Sequence, residues 1–481
     1  MDIQKYKKDV DFTIKKYSVK AWLTFIRDIN IKMIYDEDFR NKQENILRNK
    51  PEFLISSADI SLRRSPYEIQ NKYTPSFKEL NLLGMAEIEI SDSDGDNLIE
   101  LFGIAAISLM AFWQNRFNYN TMNVLGRLNK YYRRYDEQLI DGIGLSIDDI
   151  GIIYYAIFIN YQQTPCHHLE KYAIFNKNVT SLSKEKIDKF FNYFSTSIKD
   201  YRLAVRDDGI STKDYGKFKY LLRYPMIELE ENLYIIPVFE QLLDTIANNL
   251  YFVLLDIHSS ISRSKSHKFL SEHGDIFEEY ILSLLVNCFD KKDIQRADSL
   301  AKTKQEKRCE VVITHDDKKL AIEVKSTYFK RDSISNKNKE EIDKKLREKL
   351  VEGYIQLEAT MDNIEDAKYT TYGLIVIPDI MMAHSTIINY MKEEFEGEAR
   401  FDDRIMICSL SWLESLTANT RDNLFLILAN TYKADPIKDG NDILPTMQQL
   451  KKDGIDINFT NPYLRSAVQE PIDRLSKSIY R

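Results

Sequence analysis

The stretch "CEVVITHDDKKLAIEVK" at 309–325 constrains this chain more than any other. Two apolar runs flank a polar "HDDK", which reads as the turn of a β-hairpin. Side chains alternate between the two faces of a strand, so Glu323 and Lys325 share one face and Val324 takes the other. Antiparallel partners pair start with finish. Glu310, which opens the first run, therefore arrives at the same edge of the hairpin as Glu323 and Lys325. Two carboxylates and one ammonium converge. Carboxylates held together repel unless a cation lies between them, and hard oxygen donors with room for water suit Mg²⁺ (or Mn²⁺). Other acidic-x-Lys triplets occur, among them those at 316/318, 317/319, 343/345 and 366/368, and none of these follows an apolar strand. Taken alone, Glu323 and Lys325 also read as an ion pair on an exposed strand face. The arrival of Glu310 favours a site.

The flanking sequence supplies an α/β frame. "SEHGDIFEEYILSLLVNCF" has the spacing of an amphipathic helix, with Ile276, Phe277, Tyr280, Ile281, Leu284, Leu285 and Cys288 on one face. Glu279 points away from that face. Glu278 lies at its border, where a helix packed on a sheet reaches the strand ends, and Gly274 clears space one turn earlier. "DIQRAD" is a short strand candidate. After the hairpin come a long charged helix at about 338–362, a strictly apolar strand "YGLIVIP", the helix "STIINYMKEEF", the strand "RIMICSL" and a helix from "SWLESL". The predicted fold class is an α/β core, a mixed sheet flanked by helices, in the C-terminal half. A mainly α-helical N-terminal domain precedes it.

The ordered set "GDIFEEYI … CEVVI … LAIEVKS" resembles the PD-(D/E)xK nuclease superfamily, the restriction-endonuclease-like fold. The resemblance covers about 270–410. It implies that Glu278 is the helix glutamate of the active site, Glu310 the first strand acid, and Glu323 with Lys325 the paired motif. Gln356 in "GYIQLEA" matches a glutamine found in several branches. The first acid is usually Asp, so Glu310 is a departure by one methylene, roughly 1.5 Å of reach. The resemblance further implies a divalent ion held by Glu310, Glu323 and the Val324 carbonyl, with Glu278 completing the shell directly or through water. Lys325 would orient the attacking water or stabilise developing charge. Lys330, Arg331, Lys337 and Lys339 follow immediately and are candidates to hold a nucleic-acid backbone.

Composition sets limits on the rest. The net charge is −7, yet residues 301–350 hold 15 Lys/Arg against 10 Asp/Glu, a positive island in an acidic chain. On charge alone, a solvated helix face with mixed charges is favoured over a phosphate-binding patch. Cys166, Cys288, Cys309 and Cys408 are widely spaced and form no CxxC pair, which points to a reducing, cytoplasmic setting. The first residues lack the apolar core of a signal peptide. The longest apolar run, "LFGIAAISLMAFW" at 101–113, falls short of the roughly 20 residues of a membrane span and reads as a core helix, like "GIIYYAIFI" at 151–159. "ISDSDGDN" at 90–97 lacks the closing Glu of a calcium loop. Cys166, His167 and His168 lack further zinc ligands nearby. "YYRRY" at 131–135 reads as a packed helix before it reads as a base-stacking platform.

The expected domains are 1–260, helical and regulatory or recognitional, with a sub-boundary near 204–216; 265–430, the nuclease-like core; and 431–481, a C-terminal extension. The Ser-rich "IHSSISRSKSHK" at 257–268 is the expected joint. The expected function is a Mg²⁺-dependent nuclease acting on DNA in preference to RNA, an effector of bacterial anti-phage defence. A regulatory protein partner or a homo-oligomer is expected to control it, and no membrane is. The alternative is a catalytically silent nuclease-fold binding or scaffold protein of a multi-subunit complex.

Overall fold

Two short polar turns set the strand order on which everything else is built. In the C-terminal half, Asp316 and Asp317 separate two strands, and Asp316 adopts φ 52°. Aspartate tolerates this left-handed conformation, which two-residue hairpins require. In the N-terminal half, Glu231 and Asn232 do the same, with Asn232 at φ 62°.

The structure is a computed structural model. It describes residues 3–41, 51–69, 73–91, 120–163, 168–175, 182–209, 219–247, 249–296, 308–326, 328, 339–379, 384–433 and 443–469. The run at 101–113 and most of "ISDSDGDN" lie outside them, as do Cys166 and His167. Among the described residues no single helix is long and apolar enough to cross a membrane. These residues fall into two compact units, one within 1–101 and 135–254, the other within 102–134 and 255–469.

The first unit is helical, as expected, and adds a small sheet. β1 (Leu169–Glu170), β2 (Ser195–Ser197), β3 (Met226–Glu230) and β4 (Leu233–Ile235) are ordered β1-β4-β3-β2. Only the β3–β4 hairpin has a sequence signal. The other two strands are two or three residues long and carry no periodicity to read. The apolar segment at 151–159 lies in the helix Ile147–Gln163, where Ile150, Ile153, Tyr154 and Ile157 are buried.

The second unit is built on a mixed five-stranded sheet in sequential order: β5 (Ile294–Arg296), β6 (Val311–His315), β7 (Lys318–Val324), β8 (Thr370–Ile377) and β9 (Ile405–Ser409). β5, β6 and β7 pair antiparallel; β7, β8 and β9 pair parallel. Parallel neighbours need a crossover. The first runs through the helices Lys339–Leu346 and Glu352–Ile364, and the second through His384–Glu394. The first crossover is not one regular helix, since Arg347–Val351 forms a π turn between its two parts. Ile342, Leu346, Leu350, Tyr354, Leu357 and Met361 pack from this crossover onto Val312, Ala321, Ile375, Ile377, Ile405 and Ile407. Each such apolar side chain, fully buried, contributes roughly 1.5–3 kcal/mol before entropy is counted.

The joint expected at 257–268 is helical. The helices Leu250–Ile261 and Arg263–Cys288 meet at Ser262, whose hydroxyl caps the second by accepting from the Lys265 amide at 3.2 Å. Serine at that position serves the four unpaired amides of a helix start, so a Ser-rich stretch need not be a linker. The division between the units falls after Leu254, inside the first of these helices.

Candidate active site

The end of the hairpin brings the first two acids near each other. Val311 pairs with Ile322 at the end of the ladder, and Glu310 directly precedes β6. The Glu310 amide donates to the Ile322 carbonyl at 3.0 Å. The face of Glu323 also carries Ala321 and its partner Val312, and it is covered by the Glu352–Ile364 helix.

Glu323 is fully buried. The Lys325 ammonium makes an ion pair with Oε1. Apart from that contact, neither carboxylate oxygen has a hydrogen-bond partner among the described residues. A buried carboxylate with unspent acceptor capacity is costly unless something else is meant to occupy it. Burial pushes the Glu323 carboxyl up to about 7; Lys325 opposes this, while repulsion from Glu310 and Glu278 adds to it. Both neighbouring acids therefore act on Glu323.

Lys325 is held from two sides. Its Nζ donates to Oε1 of Gln356 at 2.6 Å, and its backbone amide donates to the Val376 carbonyl at 2.9 Å. Gly353 makes room for this arrangement. A Cβ there would lie 3.4 Å from Lys325 Cε and 3.6 Å from Glu323 Cγ. Gly274 lets the Arg263–Cys288 helix approach the end of β7, where a Cβ would come 3.3 Å from Ser326 Oγ.

On that helix Phe277, Tyr280, Ile281, Leu284 and Leu285 are buried, as the spacing predicts. Glu279 faces outward and pairs with Arg134 at 2.6 Å. Glu278 is turned toward the sheet and pairs with Arg296 of β5 at 2.8 Å. The sequence marked this strand only as "DIQRAD" and did not single out Arg296. The available signal was an arginine closing an edge strand next to an acidic site.

Of the proposed backbone-holding residues, Lys330, Arg331 and Lys337 lie outside the described residues. Lys339 opens the crossover helix, where its Nζ donates to Glu394 at 2.7 Å. "YYRRY" is core and not a stacking platform. Tyr131, Tyr132 and Tyr135 are buried, and Tyr131 stacks on Tyr280 with ring centroids 5.1 Å apart.

The donor chemistry suits a hard divalent cation: Glu310 lies close enough to repel the Glu323 carboxylate, and Glu323 has an oxygen with no partner among the described residues. Among the described residues, the one His/Cys/Asp/Glu threesome whose ligand atoms all lie within 4.8 Å is His315, Asp316 and Asp422. The three site carboxylates are therefore spread more widely. The His315 cluster sits at the turn end of the hairpin, a strand length from Glu323, with two of its members exposed. It is the kind of acidic surface group that is common without an ion.

No protein-family model matches this chain, and neither a curated protein nor a solved structure matches it.

Proposed function

We propose that this chain is a divalent-metal-dependent nuclease of the PD-(D/E)xK type, hydrolysing phosphodiester bonds in DNA. The observation that carries this reading is the buried Glu323, with a carboxylate oxygen that has no partner among the described residues, near Glu310 and beside a Lys325 held by Gln356. Glu310, Glu323 and the Val324 carbonyl would hold Mg²⁺ or Mn²⁺, with Glu278 reaching it through water. Bound there, the ion supplies Lewis-acid polarisation and a water of lowered pKa. Lys325 presents its ammonium at the same edge and stabilises negative charge as it develops on a phosphoryl oxygen. Gln356 keeps Lys325 from collapsing wholly onto Glu323 by accepting a hydrogen bond from its ammonium. The buried surroundings of Glu323 exclude water and strengthen each of these interactions.

A second reading has its own support. Glu310 stands where the family's acid is usually Asp, and Glu278 is engaged by Arg296. Both fit a silent nuclease-like module that binds or scaffolds without cutting.

One experiment separates the two. The full chain is incubated with supercoiled plasmid, and separately with a single-stranded RNA, in Mg²⁺ or EDTA, beside Lys325→Ala. Nicking that needs the ion and is lost in the variant supports the nuclease. Equal behaviour of the two proteins, with and without Mn²⁺ and across a range of partner-containing extracts, supports the silent module.

A further inference from the structure

We propose that the helical corner at 257–271 is a docking surface for the phosphate backbone of duplex DNA, overhanging the candidate active site. In its purpose, though not in its geometry, it rests on the nuclease reading.

The Arg263–Cys288 helix runs alongside the sheet from its active-site end to its turn end. Gly274 lies against Ser326, just past the end of β7 that carries Glu323 and Lys325. Phe289, the residue after the helix, packs its ring on His315 at the far end of the hairpin, with centroids 6.4 Å apart. From 274 to 289 is about 22 Å of helix, and the 7 residues of β7 span about 23 Å. That part of the helix matches the length of the strand. The turns before Gly274 therefore run on beyond the active-site end, by about 16 Å to Arg263. The chain leaving β7 follows them, with the Tyr328 ring 5.7 Å from His273.

The chemistry of this overhang suits phosphate. Arg263, Lys265 and Lys268 are all exposed, serines are interleaved with them, and no acidic residue occurs from 257 to 271. A solvated face of mixed charge would intersperse acids with these cations. In a chain of net charge −7, their absence over this stretch makes a local positive surface. Lysine, arginine and serine side chains are those that contact phosphates along a duplex. The corner is also fixed in place. Phe269 is buried and stacks on His258 of the preceding helix, with ring centroids 4.8 Å apart. Lys265 has no ion-pair partner among the described residues. Lys268 pairs with Glu272 at 3.3 Å, but the two side chains are 69% and 46% exposed, so solvent screens the pair and a phosphate can compete for the lysine. Lys268 stands about 9 Å and Arg263 about 16 Å along the helix from Gly274. Those distances correspond to about 3–5 base-pair steps of duplex away from the site.

The test uses the full chain in Ca²⁺, so that binding is read apart from cleavage. Anisotropy of a labelled duplex DNA is followed across a salt series for wild type, Lys265→Gln/Lys268→Gln, Lys265→Glu/Lys268→Glu and Lys291→Gln/Lys292→Gln. The last two lysines are exposed just after the opposite end of the same helix, and their replacement removes the same charge. Glutamine nearly keeps the helix propensity of lysine, so the corner stays folded. Lys265→Gln/Lys268→Gln is expected to bind about 10-fold or more weakly near 0.1 M salt, with a salt slope shallower by about two. The glutamate variant should bind more weakly still, and Lys291→Gln/Lys292→Gln should match wild type. Equal affinity of wild type and Lys265→Gln/Lys268→Gln overturns the proposal. So does an equal loss in both glutamine variants, which marks bulk charge, and so does a wild type that binds no duplex. The nuclease reading fails separately. A wild type that binds DNA through this corner yet nicks no plasmid in Mg²⁺ keeps the docking surface and makes the chain a silent binding module.

Discussion

Lys325 donates to Gln356 at 2.6 Å while its ammonium also touches Glu323, so one lysine is shared between a strand and the crossover helix. If the ammonium acts on a phosphoryl oxygen, its position depends on Gln356. Gln356→Ala is expected to lower the single-turnover cleavage rate by about 10-fold or more with little change in DNA affinity. Lys325→Ala should cost roughly 10²–10³-fold. Plasmid-nicking kinetics in Mg²⁺ check both. A Gln356→Ala enzyme as fast as wild type would remove that residue from the site.

The buried Glu323 makes stability depend on pH. Its carboxyl is pushed up to about 7 from an ordinary value of 4.5, first by burial. Between these values the folded chain keeps a proton that the unfolded chain has released. Stability therefore falls as pH rises through that window, and the loss is complete above it. The span corresponds to roughly 3 kcal/mol as an upper figure. In EDTA, Glu323→Gln should melt higher than wild type at pH 8 and close to it at pH 4.5. Parallel melting curves for the two proteins across this range would contradict the assignment.

Gly126 packs against Leu464 without a side chain to spare. A Cβ at Gly126 would lie 2.5 Å from both Leu464 Cβ and the Leu464 carbonyl oxygen. Backbone cannot step aside as a flexible side chain can. Gly126→Ala is expected to destabilise the second unit by about 1–3 kcal/mol, read as a lower urea midpoint. Leu464→Ala should not rescue it, because alanine keeps both the Cβ and the carbonyl oxygen. Full rescue would show that the backbone here gives way once the outer side chain is removed.

Arg127 is buried between two carboxylates. It lies 2.7 Å from Glu414 and 2.7 Å from Asp379, and Tyr280 donates to Glu414 at 2.6 Å. Removing the arginine leaves buried acids without their partner. Arg127→Met is expected to cost about 3–5 kcal/mol at pH 8. Burial already pushes the Glu414 carboxyl up, with Arg127 opposing. Without Arg127 it takes up a proton more readily, so the deficit should shrink at pH 5. Thermal melts at the two pH values check this, and a deficit independent of pH would contradict it.

The sequence by itself determined the local half of this protein. Period-two alternation put Glu323 and Lys325 on one face, and the "HDDK" turn fixed the hairpin register that ends at Val311 and Ile322. Helical spacing turned Glu278 toward the sheet and Glu279 away from it. These outcomes follow from backbone geometry within a few residues, which a pattern can carry. Only the tertiary structure decided the rest. The small N-terminal sheet uses strands too short to leave a period. The helix Thr121–Lys130, from the part of the chain expected to be N-terminal domain, belongs to the unit of the five-stranded sheet through Arg127 and Glu414, 287 residues apart. Ser262 caps a helix where composition suggested a joint. The pairing of Glu278 with Arg296 depends on which edge strand lies beside which helix. Such contacts arise from the packing of distant elements, and no local periodicity records them.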